Sequence, residues 1–320
     1  LLLYKEMKRK KVVVTGANSY VGVNLIKLCI KKKIHVIAFC RNKNLLKSIF
    51  KKSKFLTFHH YELTKEIEFD LKKIGTIFHL ANERMKKFEN NFKIDPNIIA
   101  AKNLIKAVST SKKINIIYLS SHLAYNWTLS YYAKTKFECE KILLKKDSTI
   151  IKVGFIFGGK PLGLFKDLVD QLNKIAIMPI IFPSAPLYPI HVNDLSESLI
   201  SIALNKKNKK IILTLGQKNY IKIKQFFQIL GLRYLNKNII FIPLPSKFIY
   251  LITSVLSNFS KFFFNINERV AGIKSLSIMN IDNTVLEYKK NHLINTNNLL
   301  KKTINLKNNR SRIWCFYTLN

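Results

Sequence analysis

Val12-Val13-Val14-Thr15-Gly16-Ala17-Asn18-Ser19-Tyr20-Val21-Gly22, continued by Val23, Leu25, Ile26, Leu28 and Cys29, is the stretch on which the fold turns. The β-branched run predicts a short buried strand, the glycine-bearing segment a tight turn, and the apolar positions beyond it a helix. Gly16 lets the backbone turn sharply, and Gly22 permits close packing of helix on strand. Free amides at a helix start, beside the positive end of the helix dipole, suit a pyrophosphate. Gly16, Asn18, Ser19, Tyr20, Val21 and Gly22 are therefore the candidates to hold one.

Outward from that stretch, Ile34 to Cys40 supplies a second strand at the distance a βαβ unit requires. A site for NAD would place an acid at its end, on the adenosine ribose. Here Cys40-Arg41-Asn42 has no acid and offers a cation, which favours a 2′-phosphate and so NADP slightly over NAD. The ordinary alternative is that Arg41 is one more solvated cation. Ile74 to Asn82 reads as a buried strand, with His79 a packed or hydrogen-bonded residue at its end. Asn97 to Val108 reads as a helix buried on one face, and Ile114 to Ser121 as the next strand. Such alternation implies a parallel, doubly wound sheet.

After that strand comes Ser130-Tyr131-Tyr132-Ala133-Lys134-Thr135-Lys136. If the segment is helical, Tyr132 and Lys136 lie one turn apart on one face. An ammonium beside a phenol stabilises the phenolate, so such a Tyr can take a proton from a hydroxyl near neutral pH. The spacing alone means little, because it recurs at Tyr4/Lys8, Tyr61/Lys65 and Tyr220/Lys224. What singles out Tyr132/Lys136 is the buried strand ending in paired serines before it, and the phosphate-loop pattern near the N-terminus.

Taken together these residues resemble an extended short-chain dehydrogenase/reductase, in the NAD-dependent epimerase/dehydratase family that acts on nucleotide sugars. The resemblance rests on Thr15-Gly16-x-x-Ser19-x-x-Gly22, Glu62-Leu63-Thr64, His79-Leu80-Ala81, Asn97 to Ala107, Ser120 to Tyr125, Tyr132-x-x-x-Lys136, Lys152-Val153-Gly154-x-x-x-Gly158 and His191 to Leu195. It departs at Ser19, Glu62 and Ala100-Ala101, and in the short segment between Ser121 and Tyr132, which implies a trimmed loop beside the substrate.

The resemblance implies a Rossmann-type α/β domain with a smaller, discontinuous C-terminal substrate lobe. It implies that Ser121 bonds the reacting oxygen, Tyr132 exchanges the proton, and Lys136 holds the nicotinamide ribose. Glu62, Leu63, Leu80 and Ala81 would join the loop residues, Arg41, Tyr132 and Lys136 around NAD(P). Asn97 would support the set or serve structure alone. Asn82, His122, Arg233 and Arg269 are candidates toward a nucleoside-diphosphate sugar, UDP-linked by expectation; the two arginines could clamp a pyrophosphate. Epimerase, reductase and dehydratase outcomes share the same first steps. His122 stands where a dehydratase wants an acid, so dehydration ranks last, and Arg41 tilts toward reduction. The rival readings are a non-catalytic nucleotide-binding relative and a reductase of an apolar carbonyl.

Beyond residue 150 the pattern thins. Thr149 to Phe157 reads as one central strand, and Met178 to Pro189 is too Pro-punctuated to be one element. Asn193-Asp194 is expected to cap the following helix. Ile211 to Gly216 reads as a strand returning to the main sheet. The expected division is therefore a Rossmann domain over 7–162 with 189–216 returning to it, a substrate lobe over 163–188 and 217–305, and a tail over 306–320. Phe248 to Phe264 predicts a core helix with an exposed apolar side, touching a partner or a membrane surface, and not a span.

Composition bounds the rest. The chain has 320 residues, 48% of them hydrophobic, enough to bury a full core. Its +37 charge comes from 55 basic residues of which only seven are Arg, spread along the sequence beside Asn and Ile. That pattern reads as a bias of every solvated face and argues against nucleic acid as the partner. Cys29, Cys40, Cys139 and Cys315 lack the spacing of a disulfide framework or a metal site, which fits a reducing cytoplasm. Leu1-Leu2-Leu3 is too short for a leader or span, and Met7 reads as a natural start. A homodimer through the Tyr132 helix is a further expectation of the resemblance.

Overall fold

A computed structural model describes residues 11–83, 94–109, 114–182, 184–204, 211–217, 219–257 and 261–276. The expected start at Met7, the end of the expected substrate lobe over 277–305 and the tail over 306–320 lie outside them. The first half alternates strand and helix: β1 (Lys11–Thr15), α1 (Tyr20–Lys31), β2 (Val36–Cys40), α2 (Lys43–Ile49), β3 (Leu56–His60), β4 (Ile74–His79), α3 (Pro96–Val108), β5 (Asn115–Ser121), α4 (Tyr131–Leu143) and β6 (Ser148–Val153). Six of these strands and β11, introduced below, form one parallel sheet in the order β11-β6-β5-β4-β1-β2-β3.

Strand periodicity explains why the sheet is covered on both sides. Val12 and Val14 point to one face and pack with Val21, Leu25 and Ile26 of α1; Val13 points to the other and packs with Ile98, Ala101 and Leu104 of α3. Chain order reverses at β1, with β2 and β3 added on one side and β4, β5 and β6 on the other. A crevice at the C-terminal ends of strands flanking such a reversal is the general ligand site of doubly wound sheets.

The second half continues with β7 (Phe155–Phe157), α5 (Gly163–Lys174), β8 (Ile177–Phe182), β9 (Pro186–Leu187), β10 (Pro189–His191), α6 (Val192–Leu204), β11 (Ile211–Leu215), β12 (Ile221–Lys222), α7 (Ile223–Leu230), β13 (Ile240–Pro245), α8 (Ser246–Leu256) and α9 (Lys261–Lys274). As read from sequence, β11 returns to the main sheet, beside β6. The run expected as one strand over 149–157 is instead broken at Gly154. A Cβ there would lie 1.8 Å from the Tyr188 carbonyl oxygen, and beyond the break β7 leaves the sheet to pair with β10. Asn193 and Asp194 lie inside the first turn of α6, so they do not cap it from outside; the His191 ring accepts from the Asn193 amide at 3.2 Å.

A third core joins the elements outside the main sheet. Phe157, Phe165, Leu168, Leu172, Ile180, Leu187, Phe226, Leu230 and Tyr234 pack together, drawing on 157–187 and 223–239 while β10, α6 and β11 intervene in sequence. The Pro-rich stretch divides into β8, β9 and β10, which pair with β13, β12 and β7. Among the described residues no helix is long and apolar enough to cross a membrane.

Candidate active site

The β1–α1 turn is built to bring backbone close to backbone. Gly16 has φ +66°, and a Cβ on it would sit 2.7 Å from the Ala81 backbone at the end of β4. Only glycine meets both the handedness and the space. Ser19 caps α1, its hydroxyl accepting from the Gly22 amide at 3.1 Å. Helix geometry leaves the Tyr20 and Val21 amides without intrahelical acceptors, beside exposed Asn18. The Tyr20 ring itself points away: it stacks on Phe165 of α5, and its hydroxyl donates to the Gly158 carbonyl. The residues over 16–22 thus fit a dinucleotide diphosphate through their amides.

At the end of β4, His79 is fully buried, stacks on Tyr118 and shares a 2.8 Å hydrogen bond with Thr15. Burial pushes its pKa down to about 3, so it is neutral and structural. The Ala81 amide donates to the Thr15 hydroxyl at 3.2 Å, and Leu80 is buried, so both flanks of the crevice are fixed. Asn97 grips the next residue twice: its Oδ1 accepts from the Glu83 amide at 2.7 Å and its Nδ2 donates to the Glu83 carbonyl at 3.1 Å. Asn82 donates to the same carbonyl at 3.3 Å.

Glu83, so held, pairs with Arg41 at 2.9 Å. Arg41 therefore has a partner across the crevice mouth, and it also lines a surface depression with Asn42, Lys43, Asn44 and His60. Glu62 stands at the edge of this region. Its carboxylate accepts from Lys65 at 3.4 Å and lies 3.0 Å from His60 Nε2, contacts that hold its pKa below the usual range. Leu63 is half-buried against the core beneath α3.

The helix bearing Tyr132 and Lys136 is anchored at three points. Ser130 caps α4, accepting from the Ala133 amide at 3.4 Å. Glu268 of α9 then covers the same end, accepting from Ser130 Oγ at 2.9 Å, the Tyr131 amide at 3.1 Å and the Tyr132 amide at 3.2 Å. Asp95, the N-cap of α3, accepts from Tyr131 Oη at 3.1 Å and Thr135 Oγ1 at 3.5 Å.

Lys136 is buried and donates to the Leu119 carbonyl at 2.9 Å, with its Nζ 4.7 Å over the Tyr118 ring. Burial pushes its pKa down to about 8. Tyr132, one turn earlier, is 42% exposed.

The paired serines differ. Ser120 is buried and donates to Glu140, whose other oxygen lies 3.3 Å from Lys152. Lys152 also donates to the Ala124 carbonyl and sits 4.1 Å over the Tyr125 ring. Ser121 is only half-buried, and its hydroxyl accepts from the Leu123 amide at 3.2 Å. The buried network thus fixes the β5 end through Ser120 and leaves Ser121 outside it.

The remaining candidates are spread out. His122 is buried edge-on against Tyr125 and Tyr188. Arg269 is exposed, 3.8 Å from Asp167 of α5, and Arg233 is half-buried in the wide helical turn after α7. Among the described residues no cluster of His, Cys, Asp or Glu is placed to hold a metal.

Sequence reasoning missed Glu268, Asp95, Glu83 and the Glu140–Lys152 pair. Asp95-Pro96 carries a readable helix-start signal. For the others the only hint is scarcity: with 18 acids among 55 basic residues, each carboxylate deserves a search for its partner.

Residues 12–143 match the sequence pattern of the NAD dependent epimerase/dehydratase family. No curated protein matches the chain by sequence. Among solved structures, a UDP-N-acetylglucosamine 4-epimerase from Methanobrevibacter ruminantium M1, in complex with UDP-N-acetylmuramic acid, is 18% identical, with 93% of this chain and 98% of that one covered and a TM-score of 0.67. A dTDP-glucose 4,6-dehydratase from Bacillus anthracis, in complex with NAD, is 16% identical over 93% and 97%, with a TM-score of 0.69. An epimerase from Methanothermobacter thermautotrophicus is 15% identical over 95% and 93%, with a TM-score of 0.71. Over 12–143 the chain thus carries the pattern of that family, and over nearly its whole length it has the fold of those structures.

Proposed function

We propose that the chain is an NAD(P)-dependent epimerase or reductase of a nucleoside-diphosphate sugar. The observation that carries this reading is the pairing on α4 of an exposed Tyr132 with a buried Lys136 one turn on, beside the end of β5. A relative solved with a UDP-linked sugar and another solved with NAD support the ligand classes. When bound, a nicotinamide supplies the acceptor and donor of hydride.

This chain's residues do the rest. Tyr132 takes the proton from a sugar hydroxyl as that carbon is oxidised, and returns it when the keto group is reduced. Ser121 donates to the same oxygen and holds it against Tyr132. Lys136, still cationic at neutral pH, lowers the cost of the phenolate and offers donors toward the ribose. Gly16 and the amides over 18–22 hold the diphosphate. Arg41, Lys43 and His60 favour a 2′-phosphate in the depression they line, and hence NADP.

Incubating purified protein with UDP-sugars and each dinucleotide tests the reading. Turnover is expected, reduced by at least about 100-fold in Tyr132→Phe, with dinucleotide binding retained. Arg41→Ala should weaken NADPH binding by about tenfold and leave NADH unchanged. Retained dinucleotide binding with no turnover of any sugar nucleotide would instead favour a non-catalytic relative.

A further inference from the structure

Helix α8 is mounted the wrong way round for a core helix. Phe248, Leu251, Ile252 and Val255 recur at i, i+3, i+4 and i+7, the spacing of one face, and they are 61%, 64%, 40% and 57% exposed. The buried position is Thr253, whose hydroxyl bonds Asn267 Oδ1 at 3.0 Å and the Ile249 carbonyl at 2.8 Å. Lys274 of α9 lies 4.2 Å over the Tyr250 ring. These polar ties hold the apolar face outward, where burial alone would turn it in. Ile240 and Ile242 of β13, which leads directly into α8, are also exposed.

Neither α8 nor β13 carries an acid. From Ser198 to Asn267 the sequence contains no Asp or Glu, while lysines recur throughout. Lys247 stands on α8 itself and is exposed, and Lys237 stands before β13. The first acid beyond the run, Glu268, is turned to the end of α4. An exposed apolar stripe on a helix that carries an exposed lysine and no acid matches the boundary of an anionic bilayer, where acyl chains lie under negative headgroups. A helix of 11 residues is too short to span, so it would lie flat.

We propose that α8, with the edge of β13, is a docking surface for an anionic membrane. This goes beyond the catalytic reading and does not depend on it. The test is co-sedimentation of the full chain with vesicles of phosphatidylcholine alone and of phosphatidylcholine mixed with phosphatidylglycerol. Binding to the mixed vesicles is expected, weakening as salt rises. Phe248→Glu/Leu251→Glu should cut it by at least about tenfold, and Lys247→Glu by a smaller factor. All these side chains are exposed, so the variants should keep the parent's circular dichroism and melting temperature. No vesicle binding by the parent, equal binding to neutral vesicles, or equal binding by a folded Phe248→Glu/Leu251→Glu variant would overturn the proposal. So would a self-association by ultracentrifugation that the double variant abolishes while vesicles bind neither protein, since the face would then be an interface between copies.

Discussion

Removing the Glu268 carboxylate should loosen the helix that carries Tyr132, although the two residues are 136 positions apart. Glu268→Ala deletes three acceptor contacts at one helix end: to Ser130 Oγ and to the amides of Tyr131 and Tyr132. Hydrogen bonds to a charged group are worth about 1.5–3 kcal/mol each when buried. Glu268 is half-exposed, so about 1 kcal/mol per contact is the working figure. Ser130 remains as cap, and water replaces part of the rest, giving a net loss of about 2 kcal/mol. Glu268→Gln keeps the size, loses the charge and presents an amide to amide donors, for about 1 kcal/mol. Urea unfolding of parent and both variants reads these values directly. If Tyr132 acts as proposed, kcat should fall in Glu268→Ala while dinucleotide affinity, set at the β1–α1 turn, stays constant. A Glu268→Ala protein within about 0.5 kcal/mol of the parent would refute the reasoning that α9 holds α4 in place.

Two further outcomes follow from buried charge. Lys136 titrates near 8 in the folded chain and near 10.5 when unfolded, so its burial penalty is fully present below pH 8 and fades as the pH rises toward 10.5. Parent stability should therefore gain up to about 3 kcal/mol on Lys136→Met across that window; parallel curves would show that the amine is not desolvated. Lys152→Met strands the Glu140 carboxylate, already raised by burial, and should cost about 3 kcal/mol. Glu140→Gln/Lys152→Met should recover part of that loss by the same unfolding assay, and a double variant worse than both singles would exclude the pairing.

Much of the fold was legible because its signals are local. The run from Val12 to Gly22 carries its strand, turn and helix in consecutive residues, and Tyr132 and Lys136 share a face by helical pitch alone. The break at Gly154 was not legible, because what forces it is the Tyr188 carbonyl approaching from 34 residues away. The exposed apolar side expected over 248–264 is present on α8, but the one helix expected there is two, α8 and α9. What the sequence did not show is how α8 is tied to α9, through the Thr253–Asn267 bond and Lys274 over the Tyr250 ring.

The sequence by itself determined the alternation of strands and helices in the first half, the strand, turn and helix over 12–29 and the identity of the proposed proton-transfer pair, since spacing along the chain is enough to express each. Tertiary structure decided which serine is held by Glu140, that Arg41 meets Glu83, and that Glu268 closes the helix under Tyr132. Those are pairings between residues far apart in sequence, and no local periodicity encodes them; they exist only once the sheet has brought its C-terminal edges together.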